Sequence, residues 1–184
     1  MWTDTFQTDP FYQAVTAIDA GDVDRLQRLL DAYPSLAADR LDEAPEWLKR
    51  QVGDAASGFF KRPYLLWFVA EDPVRNGRLP SNVADIIRFI AAAARRSNAA
   101  TLQDQLDSTL RLVCWSGVAA DAGLQLGMID ALIDEGAAPA ENQNNALVNG
   151  HVAAAAHLLS RGATPTLGAA LCLERCDEDI DGMQ

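Results

Sequence analysis

The sequence is poor in cysteine and has no long apolar run. It holds three cysteines, at Cys114, Cys172 and Cys176, and an odd number in so few positions does not make the disulfide framework of a small secreted protein. Apolar runs such as that from Phe89 to Ala94 are far shorter than the roughly 20 residues of a membrane-spanning helix. The N-terminus also lacks the basic and apolar regions of an export signal. We therefore expect a cytoplasmic protein that does not enter a membrane.

Basic residues are scarce relative to acidic ones. The chain of 184 residues has 15 Lys and Arg against 26 Asp and Glu, which gives a net charge of −11. A body of this charge repels nucleic-acid phosphates, so we expect no nucleic-acid partner. If a protein partner is charged, the net charge favours a basic one. The length corresponds to one domain, and the 49% hydrophobic content is enough to form a core.

Motifs that carry catalytic chemistry are missing. The sequence has no glycine-rich phosphate loop, no H-E-x-x-H, no G-x-S-x-G and no calcium-binding loop. His151 and His157 are six residues apart on one predicted helix, about 120° apart around its axis, so they cannot share a metal ion. Cys172 and Cys176 have no second pair to complete a zinc site. We expect no catalytic residue, no metal and no cofactor.

Helical spacing of apolar residues is the main feature that is present. In residues 21–33 the apolar positions recur every three or four residues, and Pro34 ends the predicted helix. Residues 150–163 repeat this layout, and 85–90 and 126–137 follow it less completely. A shorter apolar helix is predicted before each of these four, at 12–20, 64–70, 109–116 and 145–149. The chain is therefore predicted to be all-α and built from repeated helix pairs.

Two stretches of the sequence resemble ankyrin repeats. Residues 108–117, STLRLVCWSG, are similar to the first-helix signature T-P-L-H-L-A-A-x-x-G, although Arg111 replaces the histidine. Gly150 and His151, followed by Leu158-Leu159 and Gly162-Ala163, resemble the second half of the repeat. The corresponding second-helix positions lie 61, 42 and 26 residues apart, whereas undistorted repeats recur about every 33 residues. The chain thus resembles divergent bacterial ankyrin-repeat proteins.

The resemblance implies a domain organisation. It predicts an ankyrin-like solenoid over residues 11–175, with about four degenerate helix-turn-helix repeats and a final half repeat. The repeats would cover about 11–37, 62–95, 107–138 and 142–163, and the half repeat 166–175. Residues 1–10 would form an N-terminal extension, and residues 176–184 an acidic tail.

The resemblance also implies where a partner binds. In ankyrin repeats, the two residues that follow the A-A pair of the first helix face a concave groove. Here these positions are Glu71-Asp72, Trp115-Ser116 and Val148-Asn149. Trp115 would be a plausible anchor for a partner, because buried aromatic side chains dominate many interfaces. It could equally fill a gap left by the insertion at 119–121. The leading hypothesis is a non-catalytic protein–protein interaction module.

Two other functions remain open. The insertion at 71–80 contains Asp72, Arg75 and Arg78, and could form a pocket in which the arginines hold a small anionic metabolite, as a binder or as an enzyme. Self-association is the other possibility. The predicted last helix would leave Leu167, Leu171 and Leu173 without a covering neighbour.

Overall fold

The computed structural model describes residues 6–140, 142–170 and 172, and this part of the chain is helical, without a β-strand. The all-α prediction is therefore confirmed for it. The helices are α1 (Pro10–Ala20), α2 (Val23–Ala32), α3 (Ser35–Ala38), α4 (Glu46–Val52), α5 (Val83–Arg96), α6 (Leu102–Trp115), α7 (Gly117–Asp121), α8 (Gln125–Asp134), α9 (Asn142–Val148) and α10 (Val152–Ser160). Three segments are 3-10 helical: Gly53–Ser57, Phe59–Lys61 and Leu65–Ala70.

Capping residues and a glycine define the turn between α1 and α2. Asp9 accepts a hydrogen bond from the backbone N–H of Phe11 at the start of α1, and Asp22 accepts one from Arg25 at the start of α2, both at 2.9 Å. Between the helices, Gly21 has a left-handed φ of +69°. A Cβ at this position would also lie 2.7 Å from Oδ1 of Asn82. The turn therefore needs glycine both for its backbone conformation and for its close approach to the next helix pair.

The helices contact one another in chain order, in two series. In the first series, α1 contacts the 3-10 helix Leu65–Ala70, this 3-10 helix contacts α6, and α6 contacts α9. In the second series, α2 contacts α5, α5 contacts α8, and α8 contacts α10. Each helix of the first series also contacts the following member of the second. The apolar core lies between the two series, and its largest fully buried side chains include Ile18, Leu26, Leu66, Phe68, Ile86, Ile90, Leu106 and Leu110.

Residues 38–61 differ most from the expectation. The sequence patterns assigned no element to this stretch, but it contains α4 and two of the 3-10 helices. It also contributes Trp47, Leu48 and Phe60 to the core. The stretch was missed because its helical segments are no longer than seven residues, too short for a clear apolar period. A further difference is α6, which begins at Leu102 rather than near Thr109.

The two ends of the chain lie largely outside the described residues. This applies to residues 1–5 of the predicted 1–10 extension, to the 176–184 tail, and to Leu171 and Leu173 of the predicted last helix. Residues 167–170 are helical, with Leu167 78% exposed and Ala169 buried. Within the described part, none of the helices has the length and apolar character to cross a bilayer.

Candidate interaction surface

Three aromatic rings meet at one place on the surface, and we call them the aromatic patch: Phe59, Trp67 and Trp115. The ring of Phe59 stacks on that of Trp67, with centroids 4.8 Å apart and an interplanar angle of 1°. The ring of Trp115 lies 6.5 Å from that of Phe59. Phe59 is 48% exposed and Trp115 38%, whereas Trp67 is buried. Two large aromatic side chains therefore face solvent on top of a third that belongs to the core.

Buried neighbours hold the exposed rings in position. Trp115 is the last residue of α6, directly after the buried residues Val113 and Cys114. Phe59 is followed by Phe60, whose ring points into the core and lies 5.8 Å from Trp67. Consecutive side chains of a 3-10 turn point in different directions, so Phe59 faces solvent while Phe60 is buried. The patch is thus formed before any partner binds, which lowers the entropic cost of binding.

A charged cluster packs against Trp67, the buried ring of the patch. The guanidinium of Arg40 lies 4.4 Å from the centroid of the Tyr64 ring and 5.4 Å from that of Trp67. Arg40 donates a hydrogen bond to Asp104 at 2.6 Å, and the hydroxyl of Tyr64 donates one to the same carboxylate at 3.0 Å. Partial burial alone would raise the pKa of Asp104, but these two hydrogen bonds hold that pKa below its ordinary value.

Glu71 and Arg75 were expected at the binding surface, and the structure places both side chains inside. The Oε2 atom of Glu71 accepts the backbone N–H groups of Arg75, Asn76 and Gly77 at 3.0, 2.8 and 3.1 Å. Nη2 of Arg75 lies 2.6 Å from Oε1 of Glu71, and the guanidinium donates two hydrogen bonds to Asp19 at 2.7 and 3.1 Å. Only 1% of each of these two side chains is exposed. They stabilise the 71–80 loop, and neither is accessible to a partner.

Two other residues predicted to contact a partner, Ser116 and Asn149, differ in exposure. Ser116 is buried. Its hydroxyl accepts the backbone N–H of Ala119 at 3.1 Å and so caps α7. Asn149 is exposed and donates to the carbonyl oxygen of Asn145 at 2.9 Å. Val148, the residue before it, is 87% exposed. Among the groove positions implied by the resemblance, exposed side chains are therefore found at Trp115, Val148 and Asn149.

The 71–80 loop does border a cleft, with a volume of about 280 Å³ between α1, α4 and the loop. Arg78 is exposed at its edge and forms no ion pair within the described part of the chain. Asp72 is half-buried, and burial raises its pKa. Arg75 also lines the cleft, but its charge is already opposed by two carboxylates. Only Arg78 therefore offers an uncompensated positive charge there.

Both histidines connect neighbouring helix pairs. Nδ1 of His151 lies 3.0 Å from the carbonyl oxygen of Cys114 and 2.9 Å from Nε2 of Gln125. Nε2 of His157 lies 2.7 Å from the carboxylate of Asp130, which also pairs with Arg161. Across residues 6–140, 142–170 and 172, no three His, Cys, Asp or Glu side chains converge as metal ligands do. These contacts give the histidines a structural role.

Sequence reasoning missed two exposed residues of this surface, Phe59 and Arg111. Phe59 belongs to a Phe-Phe pair in a stretch without clear periodicity, and only the position of the chain in three dimensions brings it to Trp115. Arg111 was noticed as a departure from the ankyrin signature but not as a surface residue. Its position four residues before Trp115 on one helix was the available signal, because such residues share a face.

No protein-family model, characterised protein or solved structure matches the chain. Its function is therefore inferred from its own geometry.

Proposed function

We propose that this protein is a non-catalytic protein–protein interaction module that binds its partner through Phe59 and Trp115. The observation that supports this is the stacking of exposed Phe59 on buried Trp67, with Trp115 beside it. Large aromatic side chains held rigidly supply much contact area at low entropic cost, and they are enriched among residues that dominate binding energy.

We also propose that the scaffold is an ankyrin-like solenoid of about four degenerate repeats and a half repeat. The two series of helix contacts support this, since each helix pair packs mainly on its neighbours. Gly21 and Gly150 support it as well, because both are left-handed, with φ of +69° and +76°, and each lies two residues before a second helix. His151, next to Gly150, reaches the carbonyl oxygen of Cys114 in the preceding pair. In such a scaffold the first helices form the concave side, and Trp115 ends one of them.

The test is capture of a partner by the full chain and by three alanine variants. Trp115→Ala and Phe59→Ala each remove one ring, and Tyr33→Ala is the matched control because Tyr33 is an aromatic residue outside the patch that is also 48% exposed. Circular dichroism first establishes that all variants are folded. Lysate proteins retained by the immobilised chain are then quantified by mass spectrometry.

We expect a specifically retained protein whose recovery falls about tenfold or more for both patch variants and stays unchanged for Tyr33→Ala. Loss of an interface anchor typically costs about 2 kcal/mol or more, which is roughly 30-fold in affinity. Equal recovery with all variants would exclude the aromatic patch as the binding site.

Binding of a small anionic metabolite is the second candidate, since Arg78 is unpaired at the edge of the 71–80 cleft. The test is the melting temperature of the chain in the presence of inorganic phosphate and small dicarboxylates. A rise that Arg78→Ala abolishes would support this function. No rise with any of these anions would count against it.

A further inference from the structure

We infer that the partner presents an acidic segment to this surface, with an apolar side chain on Phe59 and Trp115 and a carboxylate on Arg111. The inference depends on the proposed interaction function and names the chemistry of the partner. It starts from a cleft of about 500 Å³ that is lined by Arg111, Ala140, Asn142, Asn144 and Asn145. Arg111 lies one helical turn before Trp115 of the aromatic patch.

Arg111 and Trp115 lie on the same face of α6, because they are four residues apart in one helix. Arg111 is exposed, and it has no ion pair or hydrogen bond with any described residue. Asp107, one turn earlier on the same helix, forms no ion pair with Arg111. Its Oδ1 atom instead accepts hydrogen bonds from the backbone N–H of Ala138 at 2.7 Å and from Gln103 at 3.0 Å. The guanidinium of Arg111 is therefore available to a carboxylate of a partner, as far as the described residues are concerned.

Asn142 and Asn144 of the cleft use their side-chain oxygens in hydrogen bonds within the protein. Oδ1 of Asn142 accepts from Nδ2 of Asn145 at 2.9 Å, and Oδ1 of Asn144 accepts from the hydroxyl of Thr166 at 2.9 Å. The side-chain NH₂ groups of Asn142 and Asn144 make no hydrogen bond to any described residue. The cleft therefore offers these two NH₂ groups and the guanidinium of Arg111 as donors, and the guanidinium also carries a positive charge. That combination suits a carboxylate, which accepts several hydrogen bonds and can bind arginine through both oxygens.

The charges close to the patch, rather than the net charge of the protein, determine whether an acidic or a basic partner segment is favoured. The net charge of −11 by itself favours a basic partner. Charges on the surface are screened over about 8 Å at physiological salt, however, so the groups beside the patch dominate close contact. The nearest carboxylates on α6 are engaged, Asp104 by Arg40 and Tyr64, and Asp107 by the backbone of Ala138. The guanidinium of Arg111 can thus pair with an acidic group of a partner although the protein as a whole is acidic.

The spacing of the two contacts limits the sequence of the partner. Four residues of helix separate Arg111 from Trp115 by about 6 Å along the axis. An extended peptide covers about 3.3 Å per residue, so two residues span this distance. The partner segment should therefore carry Glu or Asp two residues from an aromatic or large aliphatic side chain.

The experiment uses three matched libraries of short peptides with blocked termini and a fluorescent label. Each peptide has a central Phe, random flanking residues, and Glu, Gln or Lys at both positions two residues from the Phe. Fluorescence anisotropy measures binding to the full chain and to Arg111→Gln and Arg111→Glu. Arg28→Gln is the matched control, because Arg28 is exposed and unpaired among the described residues but lies on α2.

We expect the Glu library to bind the full chain about tenfold more tightly than the Gln library, with the Lys library weakest. Arg111→Gln should remove the preference for Glu while leaving the Gln library unchanged, and Arg111→Glu should shift the preference to Lys. Arg28→Gln should behave as the unmodified chain does. Lys peptides that bind as well as Glu peptides, or a Glu preference that survives Arg111→Gln, would overturn the inference.

Two further measurements separate this inference from the proposed function. Binding of all three libraries that shifts the indole NMR signal of Trp115, without a preference for Glu, would leave the interaction surface intact and refute the acidic partner. A preference for Glu that depends on Arg111 but not on Trp115 or Phe59 would refute the role of the aromatic patch instead. Glu141, outside the described residues, provides a last check. A Glu preference that appears only in Glu141→Gln would show that Arg111 is already neutralised, which also overturns the inference.

Discussion

Replacing Glu71 with alanine should destabilise the protein far more than replacing Glu46 with alanine. Both glutamates precede an arginine by four residues, Arg75 and Arg50 respectively, and both form an ion pair with it. The pairs differ in exposure: 1% for both side chains of the first pair, and 56–63% for those of the second. The comparison therefore sets a buried ion pair, with the hydrogen bonds that its carboxylate makes, against an exposed ion pair of the same spacing.

The magnitude follows from the contacts that the carboxylate of Glu71 makes. Alanine would leave three backbone N–H groups of the 71–80 loop without their acceptor and remove one of the two carboxylates around Arg75. Breaking a buried ion pair from one side costs about 3–5 kcal/mol. We expect about 3 kcal/mol, at the lower end, because Asp19 still pairs with Arg75. The exposed pair of Glu46 contributes about 0.3–0.5 kcal/mol.

The assay is urea unfolding followed by circular dichroism at pH 7, with thermal melting as a second measurement. For a chain of this size about 1 kcal/mol corresponds to 2–4 °C. The melting temperature should therefore fall by about 6–12 °C for Glu71→Ala and by no more than about 2 °C for Glu46→Ala. A difference of less than about 1 kcal/mol between the two variants would refute the view that the buried carboxylate organises the loop.

Two further substitutions test the turn between α1 and α2 and the cluster beneath the aromatic patch. Gly21→Ala should destabilise the fold more than Gly123→Ala in urea unfolding, because both glycines have φ of +69° but only at Gly21 would a Cβ meet another residue, Oδ1 of Asn82 at 2.7 Å; equal losses would contradict this reading. Asp104→Asn should lower the urea midpoint at pH 7. Since Arg40 helps to hold the pKa of Asp104 below its ordinary value of 3.8, this difference should be complete above about pH 4 and shrink as pH falls through the lower native pKa. A difference that grows on acidification would show that the sign is wrong.

The helix pairs could be predicted because their signals are local. Helical spacing around Leu26 and Leu30, and the glycines at Gly21 and Gly150, are properties of short segments that report their own conformation. The structure has a helix at each of the eight predicted places, although α6 begins seven residues early and Leu65–Ala70 is 3-10 helical. Residues 38–61 were not predicted, since their short segments are held by packing of side chains such as Trp47 and Phe60 rather than by periodicity.

The candidate site could be predicted only in part. Trp115 was identified from its place in a repeat-like motif, and it is exposed. Glu71 and Arg75 looked like surface residues because charged side chains usually are. They are buried because each supplies the partner that the other needs, together with Asp19 and three backbone N–H groups. A pattern in the sequence does not reveal that such partners lie within reach.

The sequence by itself determined that this chain is helical, where its main helices lie, and that glycine occupies the turn after α1, since each follows from interactions between residues a few positions apart. Only the tertiary structure decided which surface is available for binding. It brought Phe59 to Trp115, withdrew Glu71 and Arg75 into the interior, and left Arg111 without an ion pair to any residue that the structure describes. These outcomes depend on contacts between distant parts of the chain, and such contacts are set by how the helix pairs pack together.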